Sequence, residues 1–172
     1  AYVAALPVLG AWEGRPVLLL ELAHGRVPVG ADRLMRRLVD QGVQPLLAHP
    51  ERNKGFIASP AKLRPFLEIG CLLQVTAGSL TGRFGPKPQE LALRLLDAGR
   101  VGIVASDAHN LRARQPRLQE AWEVIAAEAG EATADRLVLG NPERLAALHF
   151  DREAPGYLSL ATALTLLDRT AD

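Results

Sequence analysis

The sequence has a single cysteine, Cys71, among its 172 residues, and it has no long hydrophobic run. One cysteine excludes a framework of internal disulfides and is typical of a protein from a reducing cytoplasm. A membrane-spanning helix needs about 20 consecutive apolar residues, whereas runs such as residues 17–22 are only long enough for buried strands. The net charge of +1 favours neither nucleic acid nor an anionic membrane as a partner.

The beginning of the sequence also lacks the features of a chain start. It has no initiator Met, no basic segment before an apolar one and no small-residue cleavage site, so we do not expect Ala1 to begin a signal peptide. Residues 1–6 instead indicate the interior of a longer protein. We therefore expect this chain to be a fragment.

The composition is that of an ordinary globular protein. Hydrophobic residues make up 48% and charged residues 23%, which excludes disordered and fibrous classes. The length is sufficient for one domain with a sizeable core. We expect residues 1–150 to form a partial domain that lacks its first strands, and residues 151–172 to form a helical tail rich in Leu and Ala.

Short apolar runs alternate with segments of helical period along the chain. Residues 17–22, 43–48, 71–75 and 101–105 are the predicted strands. The first of them is nearly all apolar, as expected of a strand that is covered on both faces. Helices are predicted at about residues 31–41, 60–69, 89–98, 115–129, 131–139, 142–148 and 158–172. Four βα units in a row predict a parallel sheet, either open or closed into a barrel.

Polar side chains occur where the predicted strands end. Glu21, His49, Gln74 and Asp107 lie at or just past the carboxyl ends of successive strands, which is the catalytic edge in α/β barrels. A complete barrel has seven or eight βα units and takes about 250 residues, so this chain supplies about half of one. Half a barrel exposes two strand edges and an apolar sheet face, which favours aggregation or pairing with a second copy.

The motif Ser106-Asp107-Ala108-His109 is the sharpest local signal of chemistry. An Asp and a His two residues apart at a strand end can both face a metal when the intervening Ala turns away. Carboxylate oxygen and neutral imidazole suit Mn²⁺, Fe²⁺ or Zn²⁺. The structural alternative is a capping Asp followed by a surface His.

The motif Ala48-His49-Pro50-Glu51-Arg52 is the second signal. His49 ends a predicted buried strand, where it is either a metal ligand or a core histidine with satisfied hydrogen bonds. The planar guanidinium of Arg52 suits bidentate binding of a phosphate, although a plain surface charge is the alternative.

Glu21 is the third signal, because a carboxylate that closes an apolar strand is costly to bury without a partner. A bridging role between two metal ions and a salt bridge to an arginine are the two alternatives for it. His24, three residues on, is favoured as a loop residue. Glu, His and Asp-x-His on consecutive strand ends, without clustered Cys, indicate hydrolytic metal chemistry rather than a structural zinc site.

Four motifs in consistent order resemble those of a known family. They are His49-Pro50-Glu51-Arg52, the segment that begins Gln74-Val75-Thr76-Ala77-Gly78-Ser79, the segment Ala105-Ser106-Asp107-Ala108-His109-Asn110, and Asn141-Pro142. They resemble the CpsB/CapC family of the PHP (polymerase and histidinol phosphatase) superfamily, which comprises manganese-dependent bacterial tyrosine phosphatases linked to capsule and exopolysaccharide synthesis. The resemblance covers roughly residues 17–148, and the fold class it implies is α/β, the C-terminal portion of a PHP-type, TIM-like distorted β/α barrel.

The resemblance implies a cofactor, a substrate and residue roles. It implies two or three Mn²⁺ ions, with Fe or Zn as alternatives, whose ligands here are Glu21 as the bridging carboxylate together with His49, Asp107 and His109. Arg52 and Arg114 match arginines that hold the substrate phosphate. The implied partner is the phosphotyrosine-rich tail of a tyrosine kinase that controls polysaccharide chain length. The implied reaction needs no cysteine nucleophile, so Cys71 is interpreted as a core residue.

Two departures from the family pattern limit what the chain alone is expected to do. Thr76 stands where the family usually carries Asn, and the family's early His-x-His motif, Asp and His are not found before Glu21. We therefore expect these 172 residues to bind metal weakly and to hydrolyse little. A small-molecule phosphoesterase of the histidinol-phosphatase kind and a non-catalytic binding remnant are the alternatives, and a dimer of two half-barrels stays open.

Overall fold

The computed structural model describes residues 8–110, 112 and 115–147. Within them the chain forms one curled sheet of five strands in the order β1-β2-β3-β4-β5. The strands are Gly10–Trp12, Arg15–Leu20, Gln44–Ala48, Leu72–Thr76 and Ile103–Ala105. β1 pairs with β2 in the antiparallel direction, and every later neighbour is parallel. The prediction of a parallel α/β sheet is therefore confirmed, with the four predicted strands near their predicted positions.

The antiparallel strand β1 is a feature that the sequence analysis did not predict. Trp12 pairs with Arg15 across a two-residue turn, and the turn residues Glu13 and Gly14 have φ of 50° and 77°. Positive φ at both central positions is what a type I′ hairpin turn requires. The usual signal for such a turn is Asn-Gly or Asp-Gly, and Glu-Gly beside a three-residue strand gives little to detect.

The composition of β2 predicts a strand that is covered on both faces, but one of its faces is partly exposed. Val17 and Leu18 are buried, but Leu19 is 45% exposed, and the strand ends at Leu20 before Glu21. Its position explains this exposure. β2 has only the short antiparallel β1 on its outer side, so it lies close to the edge of the sheet.

Eight α-helices and several single turns connect and cover the strands of the described part of the chain. The α-helices, α1 to α8, are Ala31–Asp40, Lys54–Ala58, Arg64–Glu68, Ala77–Leu80, Pro86–Asp97, Gln119–Ala129, Glu131–Asp135 and Asn141–Ala146. Short 3₁₀ turns occupy Pro50–Arg52 and Pro60–Leu63. The helix predicted at 60–69 is thus split between a 3₁₀ turn and α3, because Pro65 in the first turn of α3 cannot donate a backbone hydrogen bond.

The last helical region also differs from its prediction. Two separate helices were expected at residues 131–139 and 142–148, but a π-helical turn over Arg136–Gly140 joins α7 directly to α8. Gly140 has helical φ and ψ here and does not stop the helix. The tail predicted at residues 158–172 lies outside the described residues.

The main hydrophobic core fills the face of the sheet that the helices cover. Leu47, Leu73, Val75 and Val104 point into it from successive strands, and Phe56 and Phe66 meet edge to face within it. At about 25 cal/mol per Å² of apolar area, each of these buried side chains stabilises the fold by roughly 2 kcal/mol.

A smaller cluster occupies the opposite face, where the sequence predicted exposed apolar surface. Val17, Leu46 and Ile103 are buried there against Leu145 of α8. The prediction is wrong for these residues because α8 packs closely against β1. A Cβ on Gly10 would overlap the backbone oxygen of Leu145.

No helix in the part of the chain that the structure describes has the length and apolar character needed to cross a bilayer.

Candidate metal centre

The sheet topology brings the predicted site residues to one edge. Glu21 and His49 directly follow β2 and β3, and Asp107 comes two residues after β5. β2 to β5 are adjacent parallel strands, so their carboxyl ends open towards the same side of the sheet. The α/β fold therefore collects residues that are up to 86 positions apart in the sequence, from Glu21 to Asp107.

Glu21, His24 and His49 form a compact cluster at this edge. One ligand atom from each lies within 4.8 Å of the others. Oε1 of Glu21 is 3.4 Å from Nε2 of His49 and 3.7 Å from Nδ1 of His24. The two imidazole rings meet edge to face, with centroids 5.5 Å apart. One carboxylate oxygen and two ring nitrogens thus converge on the same point.

His49 is held rigidly in this cluster. It is only 7% exposed, and its backbone has φ of 30° and ψ of 55° in the left-handed region. Such a conformation is costly for a residue with a side chain, and it is found disproportionately at functional sites. Burial lowers the pKa of the His49 imidazole, while the Glu21 carboxylate partly opposes this. The neutral ring favoured by burial is the form that ligates a metal.

His24 joins the cluster although the sequence favoured it as a loop residue. The segment that follows Arg52 holds the loop of His24 through hydrogen bonds. The Asn53 side chain donates to the backbone oxygens of Ala23 at 2.8 Å and Arg26 at 3.1 Å, and the Lys54 amide donates to the oxygen of His24 at 2.9 Å. The loop is therefore well placed, and nothing in the local sequence around His24 indicates this support.

Arg52 and Asp107 form a largely buried ion pair beside the cluster. Nη1 of Arg52 donates to Oδ2 of Asp107 at 2.6 Å, and the two side chains are 14% and 19% exposed. Asp107 also has a left-handed backbone, with φ of 53°. Its charge is near enough to act on the pKa of the His49 imidazole. The phosphate-binding candidate Arg52 thus lies next to the ligand cluster.

The remaining predicted site residues are placed less closely together. Within the described residues, the three-membered cluster contains neither Asp107 nor His109. Nδ1 of His109 lies 2.8 Å from the backbone oxygen of Asp107 and 3.8 Å from its Oδ1, and the His109 side chain is exposed. Arg114 lies outside the described residues.

Glu51 connects two of the sequence motifs in the interior. Its side chain is fully buried, and its Oε1 accepts hydrogen bonds from the Thr76 amide at 3.0 Å and the Ser79 hydroxyl at 2.7 Å. These contacts join the turn that carries His49 and Arg52 to the end of β4. Oε2 of Glu51 and Oγ1 of Thr76 are both buried without a hydrogen-bond partner in the described part of the structure. No role for Glu51 is apparent from the sequence.

Burial of Glu51 has a consequence for stability. Burial raises the pKa of the Glu51 carboxyl from 4.5 to about 7, although the bonds from Ser79 and Thr76 favour the charged form. Between these two values the folded chain keeps a proton that the unfolded chain has lost, so stability falls as the pH rises. One pKa unit corresponds to about 1.4 kcal/mol, so the whole change is on the order of 3 kcal/mol.

We therefore expect Glu51→Gln to remove this loss of stability. The free energy of unfolding of the unaltered chain, relative to that of the variant, should decrease by on the order of 3 kcal/mol from pH 4 to pH 8. Urea denaturation at several pH values, with a chelator present, measures this difference. Glu128→Gln, at an exposed glutamate, is the control and should run parallel to the unaltered chain. Parallel curves for Glu51→Gln itself would contradict the assignment.

The donor set of the cluster fits a divalent metal ion. Carboxylate and imidazole ligands suit Mn²⁺, Fe²⁺ and Zn²⁺, and a site made of them without cysteine is typical of metals that act in hydrolysis. The three donors come from two neighbouring strand ends, and the backbone around them is held by Asn53 and Glu51. The described part of the chain is therefore an α/β protein with a candidate divalent-metal centre at the carboxyl edge of its sheet.

Comparison with known proteins gives the family. Residues 14–147 match the family described as "Capsular polysaccharide synthesis, CpsB/CapC". The chain therefore belongs to the CpsB/CapC family, as its motifs predict.

Two curated relatives have sequences similar to this chain. The chain is 40% identical over 113 residues to tyrosine-protein phosphatase YwqE of Bacillus subtilis, which covers 66% of this chain and 44% of YwqE. It is 31% identical over 109 residues to tyrosine-protein phosphatase CpsB of Streptococcus pneumoniae, which covers 60% of this chain and 45% of CpsB. The chain thus spans less than half the length of these curated relatives.

A solved structure supports the same relationship. It comes from work on YwqE of Bacillus subtilis and CpsB of Streptococcus pneumoniae, which are described as metal-dependent tyrosine phosphatases. The match has a TM-score of 0.72 and 37% identity, and it covers 76% of this chain and 53% of the other. The predicted α/β fold class, part of a β/α barrel, agrees with this match.

Proposed function

We propose that this chain carries part of the active site of a metal-dependent phosphatase that hydrolyses phosphotyrosine in a protein. One observation carries the proposal: a carboxylate–imidazole cluster lies beside Arg52, which is oriented by the half-buried carboxylate of Asp107. Metal ligands next to a fixed guanidinium are the parts that phosphoryl transfer needs. The names of the relatives support the same reaction.

Glu21, His24 and His49 are the residues that would hold the metal. Asp107 and His109, which follow β5 at the same edge and which the family resemblance implies as ligands, are proposed as further donors. A bound divalent ion supplies Lewis-acid polarisation of the phosphoryl group and lowers the pKa of water near it. We propose manganese as that ion.

The chain's own residues bind and orient the phosphate. The Arg52 guanidinium presents parallel N–H donors to the phosphoryl oxygens, and Asp107 keeps it in place through the 2.6 Å bond. Because the pair is largely buried, the arginine does not have to be ordered when the phosphate binds. Arg114 is proposed as a second phosphate-binding arginine.

A cysteine nucleophile does not suit this chain. Cys71 is buried, and burial raises the pKa of its thiol to about 11. The thiolate, which is the reactive form, is therefore scarce near neutral pH. This supports direct hydrolysis over a covalent cysteine intermediate.

The finer part of the proposal concerns substrate and setting. We propose a phosphotyrosine-rich kinase tail as the substrate, a role in capsule or exopolysaccharide synthesis, and a cytoplasmic location. We also propose that these 172 residues alone bind metal weakly, because the described cluster offers three donors. Activity is therefore best measured in the complete product of the gene that encodes this chain.

Substrate ranking tests the proposed reaction. With Mn²⁺ present, the complete gene product should hydrolyse phosphotyrosyl peptides with a far higher kcat/KM than sugar phosphates or amino-alcohol phosphates such as histidinol phosphate. The reverse ranking would favour a small-molecule phosphoesterase and would contradict a kinase tail as the substrate. Hydrolysis of none of them would leave only a binding role.

A further inference from the structure

A small pocket lies beside Phe84, the residue whose ring contacts Arg52. It has a volume of about 140 Å³ and lies between α4, the loop after it and the start of α6. Its buried lining comes from Ala77 and Ala121, and Phe84 and Ser106 form its half-buried walls. Polar and charged side chains complete the lining: Thr81, Arg83, Gln115, Arg117 and Glu120.

The size and lining of this pocket suit an aromatic ring. An apolar cavity of about 150 Å³ is large enough to bind benzene. Aromatic rings also pack favourably against one another at centroid separations of about 4.5–7 Å. Phe84 offers such a partner, since it lines the pocket beside small residues that leave room for a second ring.

Phe84 connects the pocket to the phosphate-binding arginine. The guanidinium carbon of Arg52 lies 4.2 Å from the centroid of the Phe84 ring. Ser106, on the pocket wall, precedes Asp107, which holds Arg52 from another side. Phe84 is therefore shared by the pocket and by Arg52, and an aryl phosphate is the class of ligand that has a group for each of them.

The ring of Phe84 packs directly against Gly78, where there is no room for a side chain. A Cβ at Gly78 would lie 2.9 Å from Cε2 of Phe84, which is closer than such atoms approach. At the rim, Nη2 of Arg83 pairs with both carboxylate oxygens of Glu120 at 3.1 and 3.2 Å, which ties the loop after α4 to α6. The shape of the pocket is therefore set by contacts on two sides.

We propose that this pocket is the subsite for the phenyl ring of phosphotyrosine and that Phe84 determines the preference for aryl phosphates. This inference rests on the proposed function, because it assumes that Arg52 binds the phosphate. Phe84 has two roles in this proposal. Its ring supports Arg52 through the cation–π contact, and the same ring packs against the phenyl ring of the substrate.

Two phosphonates that cannot be hydrolysed separate these effects. We expect the complete gene product, loaded with Mn²⁺, to bind phenylphosphonate more tightly than methylphosphonate in isothermal titration calorimetry. Phe84→Leu should weaken the binding of both phosphonates, because Arg52 loses its contact with the Phe84 ring. It should also lower the ratio of the phenylphosphonate affinity to the methylphosphonate affinity by three- to tenfold, about the contribution of one aromatic pair. Phe84→Tyr, which keeps a ring, should retain most of the ratio.

Gly78→Ala provides an independent variant, because it moves the Phe84 ring without removing it. It should also lower the ratio, and thermal melting checks that each variant is folded. Equal binding of the two phosphonates, or an unchanged ratio in Phe84→Leu, would overturn the subsite alone. Binding of neither by the unaltered protein would overturn the proposed phosphate site as well.

Discussion

Arg52→Ala should lower kcat/KM for a phosphotyrosyl peptide by about 100- to 1,000-fold in the complete gene product, the usual effect of removing one fixed donor from a developing charge. Arg52 is held by Asp107 at 2.6 Å and lies against the ring of Phe84. Arg52 is thus ordered before the substrate binds, and it stabilises the charge on the phosphoryl group without having to move. Its loss removes this stabilisation. Steady-state kinetics at saturating Mn²⁺ measures the effect.

The lysine variant and a surface arginine make this test specific. Arg52→Lys keeps the charge but loses the planar pair of donors, so we expect it to recover only a small part of the activity. Arg64→Ala removes an exposed arginine whose partner is Glu68, and it should leave kcat/KM unchanged. If Arg52→Ala retained activity within a few-fold of the unaltered protein, Arg52 would not be the phosphate-binding residue.

His49→Ala should weaken Mn²⁺ binding by at least about 10- to 100-fold. Loss of an outer partner of a metal ligand costs 10- to 100-fold in affinity, and loss of a ligand itself should cost no less. His49 is the most buried member of the cluster, and its Nε2 lies 3.4 Å from Oε1 of Glu21. Competition with a fluorescent chelator measures the dissociation constant without any need for activity.

A pair of glutamate variants provides the control for metal binding. Glu21→Gln keeps the shape of the side chain but removes the charged ligand, and it should weaken Mn²⁺ binding as His49→Ala does. Glu13 lies in the hairpin turn before β2, at the opposite end of that strand from Glu21. Glu13→Gln should therefore leave the Mn²⁺ affinity unchanged. Unchanged affinity in both His49→Ala and Glu21→Gln would place the metal elsewhere.

The strands and the edge that carries the site could be predicted because their signals are local. Short apolar runs bounded by Gly and Pro mark β2 to β5, and polar residues directly after them mark the carboxyl ends. The topology then brings Glu21 and His49 together, since β2 and β3 are parallel neighbours. A single sequence carries this information without knowledge of the contacts.

The missed features depend on contacts between distant segments. His24 reaches the cluster because Asn53 holds its loop from 29 residues away in the sequence, and Arg52 meets its partner Asp107 across 55 residues. Glu51 looks like a surface residue of a charged motif, yet it is fully buried because Ser79 and the Thr76 amide satisfy one of its oxygens. No periodicity or composition reveals such pairs before the fold is known.

Metal removal and replacement tests the central claim most directly. We expect chelation of the complete gene product to abolish phosphotyrosyl peptide hydrolysis, Mn²⁺ to restore it, and Cys71→Ser to retain the same metal-dependent activity. Activity that survives chelation, or that disappears in a folded Cys71→Ser variant while metal binding persists, would contradict a metal-dependent phosphatase site at this edge of the sheet.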